Sequence, residues 1–192
     1  MPAAAEFYPV KPQLSINMGR LDTMLEGAHR PGHFSGVAIV VSKLFNVVQP
    51  DKAYFGQKDL QQLMVIRQLV QELNFPLEVV SCPIVREENG LAMSSRNARL
   101  SAAGKETAAH LYKALQLVEG GLFSGEKNPQ ALIQTAVSYL NDFPEIEVEY
   151  LDIVDGESLA PVNDLIGLSK VAVCLAVWLE GVRLIDNSVI IL

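Results

Sequence analysis

Between residues 36 and 49 the apolar positions Val37, Ile39, Val40, Val41, Leu44, Phe45, Val47 and Val48 leave only Ser42, Lys43, Asn46 and Gln49 polar, and Pro50 follows as a stop. This pattern predicts a largely buried helix. Residues 53–55 then read as a short strand and Gly56-Gln57-Lys58-Asp59 as a turn. Apolar Leu60, Leu63, Ile66, Leu69, Val70 and Leu73 read as an amphipathic helix ending before Pro76. A second β-rich run at 77–81 makes 53–81 a strand–helix–strand unit, the right-handed crossover of a parallel sheet. Helical patterns follow at about 101–119 and 129–141, and strand-like segments at 146–154, 171–179 and 189–192. The first 35 residues, with prolines at 2, 9, 12 and 31, predict mostly irregular chain and one short helix at 21–26. The expectation is an α/β protein, with an α/β part over residues 1–84 and an α+β part over 85–192.

Composition narrows the chemistry. The chain has 192 residues, 49% of them hydrophobic and 19% charged, the balance of a folded globular protein. Its 15 Lys and Arg against 22 Asp and Glu give a net charge of −7, a field that repels a phosphate backbone, so nucleic acid is not an expected partner. A small anion needs only a locally cationic pocket, and that possibility stays open. The longest uninterrupted apolar run, residues 171–179, is far short of a bilayer span, so no membrane association is expected. The start Met1-Pro2-Ala3-Ala4-Ala5-Glu6 lacks the basic and apolar regions of a secretion signal. Cys82 and Cys174 lie far apart in apolar surroundings without metal-ligand spacing and read as free buried thiols. These features point to the cytoplasm.

In a parallel α/β sheet, ligands sit beyond the carboxyl ends of the strands, where loops enter helix N-termini. Gly56, Gln57, Lys58 and Asp59 occupy such a place. There Gly56 permits close backbone approach, Lys58 offers a cation to phosphate, and Asp59 offers acceptors to a ribose hydroxyl. Lys58 and Gln62, four apart, can face one bound molecule. Equally, Gly56 ends a strand, Asp59 complements a helix dipole, and Lys58 and Gln62 are solvated. A second group, Met93-Ser94-Ser95-Arg96-Asn97, combines two hydroxyls, a guanidinium and backbone amides in one loop suited to oxyanions or polyphosphate. Serines that cap neighbouring amides would look the same. His29 and His33 fit hydrogen bonding within a turn or a place on a site wall, and His110 a core edge. Trp178 reads as core. No HExxH, paired CxxC, Walker loop, GxGxxG or GxSxG is present, which removes the chemistries those motifs carry.

Several spaced motifs in order resemble the pantothenate synthetase (pantoate:β-alanine ligase) family of coenzyme A biosynthesis. They run from Glu6-Phe7-Tyr8-Pro9 through Arg30-Pro31-Gly32-His33-Phe34-Ser35-Gly36 and Lys43-Leu44-Phe45-Asn46 to Tyr54-Phe55-Gly56-Gln57-Lys58-Asp59. They continue with Gly90-Leu91-Ala92-Met93-Ser94-Ser95-Arg96-Asn97 and end at Arg183-Leu184-Ile185-Asp186-Asn187. The resemblance implies a Rossmann-like nucleotide domain ending near residue 84 and a smaller C-terminal lid that carries the Ser-Ser-Arg-Asn loop. It implies an AMP-forming ligase acting on ATP with Mg²⁺, pantoate and β-alanine, through a pantoyl adenylate, in a homodimer. It places Gly56, Gln57, Lys58, Asp59, Val85, Met93, Ser94, Ser95 and Arg96 around ATP, with Lys58, Ser94, Ser95 and Arg96 catalytic. Gln62 would hold pantoate, and no metal ligand is implied among these residues, since the family's Mg²⁺-associated acidic residues belong to a segment with no counterpart here.

The family usually has Glu at the place of Gln57 and Thr at the place of Ile39; the first alters one charge at the edge of the ATP loop and the second an apolar helix position, and neither refutes the resemblance. The family's first strand, its His-x-Gly-His loop and the segment after it have no counterpart in these residues, which resemble the rear two-thirds of the family sequence. His29 and His33 match the downstream Arg-Pro-Gly-His-Phe segment instead. The expectation is therefore an incomplete site with negligible turnover by these residues alone, since lost phosphate stabilisation costs orders of magnitude in rate. The alternative is a non-catalytic nucleotide-binding or interaction fragment.

Overall fold

The computed structural model describes residues 4–10 and 12–192; residues 1–3 and Lys11, which fall within the stretch expected to be irregular, lie outside the described residues. The chain divides into two units, Met1–Tyr54 with Gln61–Val80 and Phe55–Leu60 with Ser81–Leu192.

In the first unit, α1 (Ala4–Phe7) precedes an irregular stretch, a 3-10 turn at Gly19–Asp22 and α2 (Leu25–His29). The single helix predicted at 21–26 is thus two pieces, because Met24 is extended (φ −128°, ψ 160°). Buried Gln61 repairs the break by donating its Nε2 hydrogens to the carbonyls of Leu21 (2.8 Å) and Met24 (2.9 Å). Helix α3 (His33–Val48) begins after Gly32 (φ 76°), three residues earlier than predicted, and ends at left-handed Gln49, whose N–H bonds to the Phe45 carbonyl (2.8 Å).

The expectation that α3 is largely buried is corrected. Only the stripe Phe34, Ala38, Val41 and Phe45 is buried, whereas Val40, Leu44, Val47 and Val48 are exposed. A near-continuous apolar run says nothing about which side of a helix has neighbours.

The strand–helix–strand unit is present as β1 (Lys52–Gly56), α4 (Leu60–Glu72) and β2 (Glu78–Cys82), with the two strands paired in a parallel sheet. Helix α4 buries Leu63, Val65, Ile66 and Leu69 in the first unit.

The second unit is two-layered. Helices α5 (Ala102–Ala108), α6 (His110–Phe123) and α7 (Pro129–Asn141) precede an antiparallel sheet of β3 (Ile146–Asp155), β4 (Lys170–Leu179) and β5 (Val182–Ile191) in that order. Val171, Val173, Leu175, Val177 and Leu179 alternate along β4 and join Leu111, Leu115, Val118, Leu132 and Leu140 of α6 and α7 in one core. The helix predicted at 101–119 is two helices. Ala109 keeps helical dihedrals (φ −62°, ψ −22°), but its N–H is shared by the carbonyls of Lys105 and Glu106, a local tightening that no proline or glycine announces.

Strand β5 is ten residues long rather than the predicted four. It begins directly after the two-residue loop Glu180-Gly181, both left-handed (φ 51° and 70°), the conformation that suits the twist of a hairpin. Trp178 is also corrected: it is 38% exposed on β4 and its Nε1–H donates to Glu149 (3.1 Å), the extra residue where the β3 register shifts. Neither cysteine forms a disulfide; Cys174 is buried and Cys82 half-buried. Among the described residues no helix is long and apolar enough to cross a membrane.

At the outer edge of α6 and α7, His110 Nδ1 lies 2.6 Å from the Tyr139 hydroxyl and its ring stacks on Phe143 with centroids 3.8 Å apart. Burial, with help from the Lys113 charge, lowers the His110 pKa below its ordinary 6.5. The folded state therefore resists a proton that the unfolded chain accepts, so this contribution to stability is complete above pH 6.5 and declines as pH falls below it. Thermal melts between about pH 7.5 and pH 5.5 should show a larger loss for the native chain than for His110→Gln. Parallel curves would contradict the assignment.

Candidate functional site

Strand β1 delivers Gly56 in an extended conformation (φ −70°, ψ 131°) to the 3-10 turn Gln57–Asp59 that opens α4. Any residue can adopt that conformation, and a Cβ added at Gly56 would meet nothing within 4 Å. The glycine therefore keeps open a stretch of backbone rather than relieving strain, the geometry a ligand close to the chain requires. Buried Asn187 of β5 fixes the next two peptides: its Nδ2 donates to the carbonyls of Gln57 and Lys58, each at 2.9 Å.

The neighbouring residue Asp186, 4% exposed, holds a second loop. Its carboxylate receives two hydrogen bonds from Arg86 (2.6 and 3.1 Å) and one from the Asn187 N–H (2.8 Å). Burial pushes the Asp186 carboxyl above the usual carboxylate range, against the opposing hydrogen bonds and charge of Arg86 and the nearby Lys58. Arg86 also lies over the Tyr112 ring, 3.8 Å from its centroid, and donates to the Gly90 carbonyl (3.1 Å). Gly90 is required twice over, by its φ of 94° and because a Cβ there would come within 2.8 Å of Tyr112.

Residues 85–93 form a small hairpin, with Met93 N–H bonded to the Val85 carbonyl (2.9 Å), Glu87 N–H to Leu91 (2.8 Å), and Arg86 paired with Ala92. Since adjacent positions face opposite sides, Arg86 and Ala92 turn inward while Val85 and Met93 are left 64% and 54% exposed, an apolar pair of the kind a flat ring can lie against. After the hairpin, the Ser94 hydroxyl accepts the Arg96 N–H (3.2 Å) and caps the 3-10 turn Ser95–Arg99. The capping alternative is thus realised for Ser94, yet its own O–H hydrogen remains to donate elsewhere. Buried Asn97 ties the turn back to Glu87 (3.0 Å) and to the Ala92 carbonyl (3.1 Å).

These elements converge. Lys58, Ser94, Arg96 and Asn97 line one pocket with Arg183 and Asp186. Its interior of about 10 Å³ admits roughly one water molecule, so a nucleotide would lie across the mouth rather than inside. Arg183 is committed to Glu149 (Nε–Oε2 2.9 Å), and Arg86 to Asp186. Among the described residues Arg96 has no carboxylate partner, which leaves its fork for an anion. Ser95 is exposed and Asp59 likewise, and neither lines the pocket.

Gln62 belongs to the first unit. It lines an open groove of about 510 Å³ with Gly32, His33, Gly36, Val37, Val40 and Val41. His33 lines the same groove, and its backbone N–H closes a turn onto the Arg30 carbonyl (3.0 Å).

The profile of the family described as Pantoate-beta-alanine ligase matches residues 1–189. The chain belongs to the pantoate–β-alanine ligase family. It is similar to the pantothenate synthetase of Cytophaga hutchinsonii, 59% identical over 192 residues that are all of this chain and 68% of the relative. It is similar to that of Pseudothermotoga lettingae as well, at 46% identity over 99% of this chain and 67% of the relative. The chain therefore spans about two thirds of the length of these relatives. The crystal structure of the pantothenate synthetase from Thermus thermophilus superposes with a TM-score of 0.90 at 42% identity, over 97% of this chain and 67% of that one. The ligase from Francisella tularensis, solved with a β,γ form of ATP and with β-alanine, gives 0.70 at 30% identity, over 96% of this chain and 61% of that one. The fold, a parallel-sheet α/β part with a separate antiparallel three-stranded sheet, is the fold of these pantothenate synthetases.

Four polar residues of the pocket region had no role assigned from sequence: Arg86, Asn97, Asp186 and Asn187. Asp186 and Asn187 stand in a motif that resembles the ligase family, but nothing in the string says that they reach across about 100 and 130 residues of chain to two different loops. Among the described residues no group of three or more His, Cys, Asp or Glu side chains could hold a metal ion.

Proposed function

We propose that this chain carries the nucleotide-binding machinery of an AMP-forming ligase that joins pantoate to β-alanine, binding MgATP on its second unit and pantoate along the Gln62 groove of its first. The carrying observation is the grouping of Lys58, Ser94 and Arg96 on one pocket, two cations and a hydroxyl donor beside the open backbone of Gly56. In the first half-reaction a pantoate carboxylate oxygen bonds to the α-phosphorus of ATP and the bond to the β-phosphate oxygen breaks, releasing pyrophosphate. In the second, the β-alanine amine bonds to the acyl carbon, the bond to the phosphate oxygen breaks with AMP as leaving group, and the nitrogen loses a proton.

Attack of an anion on a polyphosphate brings like charges together, so the work falls to alignment and to positive groups already in place. Lys58 and Arg96 supply positive charge, Ser94 and Ser95 supply hydroxyl donors, and Val85 with Met93 supply an apolar rest for the adenine. Gln57 and Asp59 edge the nucleotide, with Asp59 offering acceptors to the ribose. No protein nucleophile is required. The reading carries with it a homodimer, which the family resemblance implies, and a cytoplasmic location. The 192 residues contain no His-x-Gly-His segment, and the reading gives them nucleotide binding without appreciable turnover of their own.

A binding experiment tests it. Pantoate should tighten MgATP binding by the chain, other 2-hydroxy acids should not, and Gln62→Ala should abolish the enhancement while leaving binding of ATP alone within about twofold. Equal responses to all hydroxy acids would overturn the substrate assignment.

A further inference from the structure

Strand β5 presents two consecutive polar residues to two separate loops. Asp186 reaches through Arg86 to the hairpin that leads into Met93–Arg96, and Asn187 reaches the turn that carries Lys58. Each peptide unit is a rigid plane. Pinning the Gln57 oxygen therefore fixes the plane that includes the Lys58 N–H, and pinning the Lys58 oxygen fixes the plane that includes the Asp59 N–H. The Lys58 Cα lies between two pinned planes, so its backbone dihedrals are set and with them the direction in which its side chain leaves the turn.

A residue serving packing alone would not need this chemistry. Asn187 is 3% exposed, spends its Nδ2 hydrogens on both carbonyls, and leaves its own Oδ1 buried without a hydrogen-bond partner. An aliphatic side chain would fill the space without an unmet acceptor, so what the amide adds is the orientation of the turn.

We propose that Asn187 is a positioning residue of the nucleotide site, which aims Lys58 at the ATP phosphates by holding the carbonyls of Gln57 and Lys58. This rests on the reading of Lys58 as a phosphate ligand. Asn187 itself is buried and does not line the pocket. Asn187→Asp keeps the shape but sets carboxylate oxygens against two carbonyl oxygens, and Asn187→Ala removes the donors without adding charge.

The experiment is a double-mutant cycle on MgATP affinity with the full chain, using Asn187→Asp, Asn187→Ala, Lys58→Ala and the combinations, together with amide hydrogen exchange of residues 56–60. Each Asn187 substitution should weaken ATP binding about tenfold or more and accelerate exchange in the turn, while β4 stays protected. In the Lys58→Ala background the same substitutions should change affinity by less than about twofold, because a residue that acts through Lys58 has nothing left to aim. The alanine variant carries the test if the aspartate variant does not fold. Full additivity of the Asn187 and Lys58 losses, or unchanged ATP affinity on losing Asn187 while Lys58→Ala weakens it, would overturn the positioning role and leave the nucleotide reading standing. Absence of ATP binding by the native chain, or indifference to Lys58→Ala, would overturn both.

Discussion

Arg86→Ala should destabilise the second unit by about 3–5 kcal/mol, the usual consequence of stripping the partner from a buried charge. Asp186 is 4% exposed and takes two hydrogen bonds from this guanidinium, so without it a carboxylate is left in the protein interior or must take up a proton. The same change uncovers the Tyr112 ring and the Gly90 carbonyl, and with them the hairpin over residues 85–93. Urea unfolding followed by the fluorescence of Trp178, the sole tryptophan and a second-unit residue, measures the loss. The paired change Arg86→Met with Asp186→Leu should recover most of it, because removing both charges removes the desolvation penalty along with the attraction. A loss below about 1 kcal/mol for Arg86→Ala would show the pair to behave like a solvated surface bridge.

Arg96→Ala should weaken ATP binding by about 10- to 100-fold, the range expected from losing one or two charge-assisted hydrogen bonds in a partly desolvated place. Arg96→Lys should fall between the two, since an ammonium keeps the charge and loses the planar fork. Lys58→Ala should cost a comparable factor. Isothermal titration with MgATP reads all three, and AMP serves as the control, because a group that meets the outer phosphates discriminates ATP from AMP. Equal losses for ATP and AMP would move Arg96 away from the polyphosphate.

The strand–helix–strand unit was legible because its signals are local: Gly56 after a β-rich run, a 3.6-residue apolar repeat from Leu60, and Pro76 as a stop. The loop at Met93–Arg96 was legible for the same reason, and its Ser94 cap is a local contact. What could not be read depends on distant partners. The exposed side of α3 looks like its buried side in the string, since Val40 and Val41 differ only in which has neighbours. Strand β5 extends beyond its apolar run at 189–192 into a stretch where Arg183, Asp186 and Asn187 interrupt the apolar alternation, and those interruptions are the residues that tie it to Glu149, Arg86 and the Lys58 turn. Polar residues in a strand read as its end until their partners are known. The motif Arg183-Leu184-Ile185-Asp186-Asn187 therefore marked the family resemblance without disclosing what it holds.

The central claim, that the turn Gln57–Asp59 and the loop Met93–Arg96 receive ATP on the second unit, is tested most directly by nuclear magnetic resonance mapping of an MgATP titration into the isotopically labelled chain. Saturable shifts should concentrate at residues 56–59, Val85 and 93–96, vanish in the Lys58→Ala, Arg96→Ala double variant, and leave the His110–Tyr139 edge of α6 and α7 unmoved. Shifts that cluster on that edge, or none at all, would contradict the account.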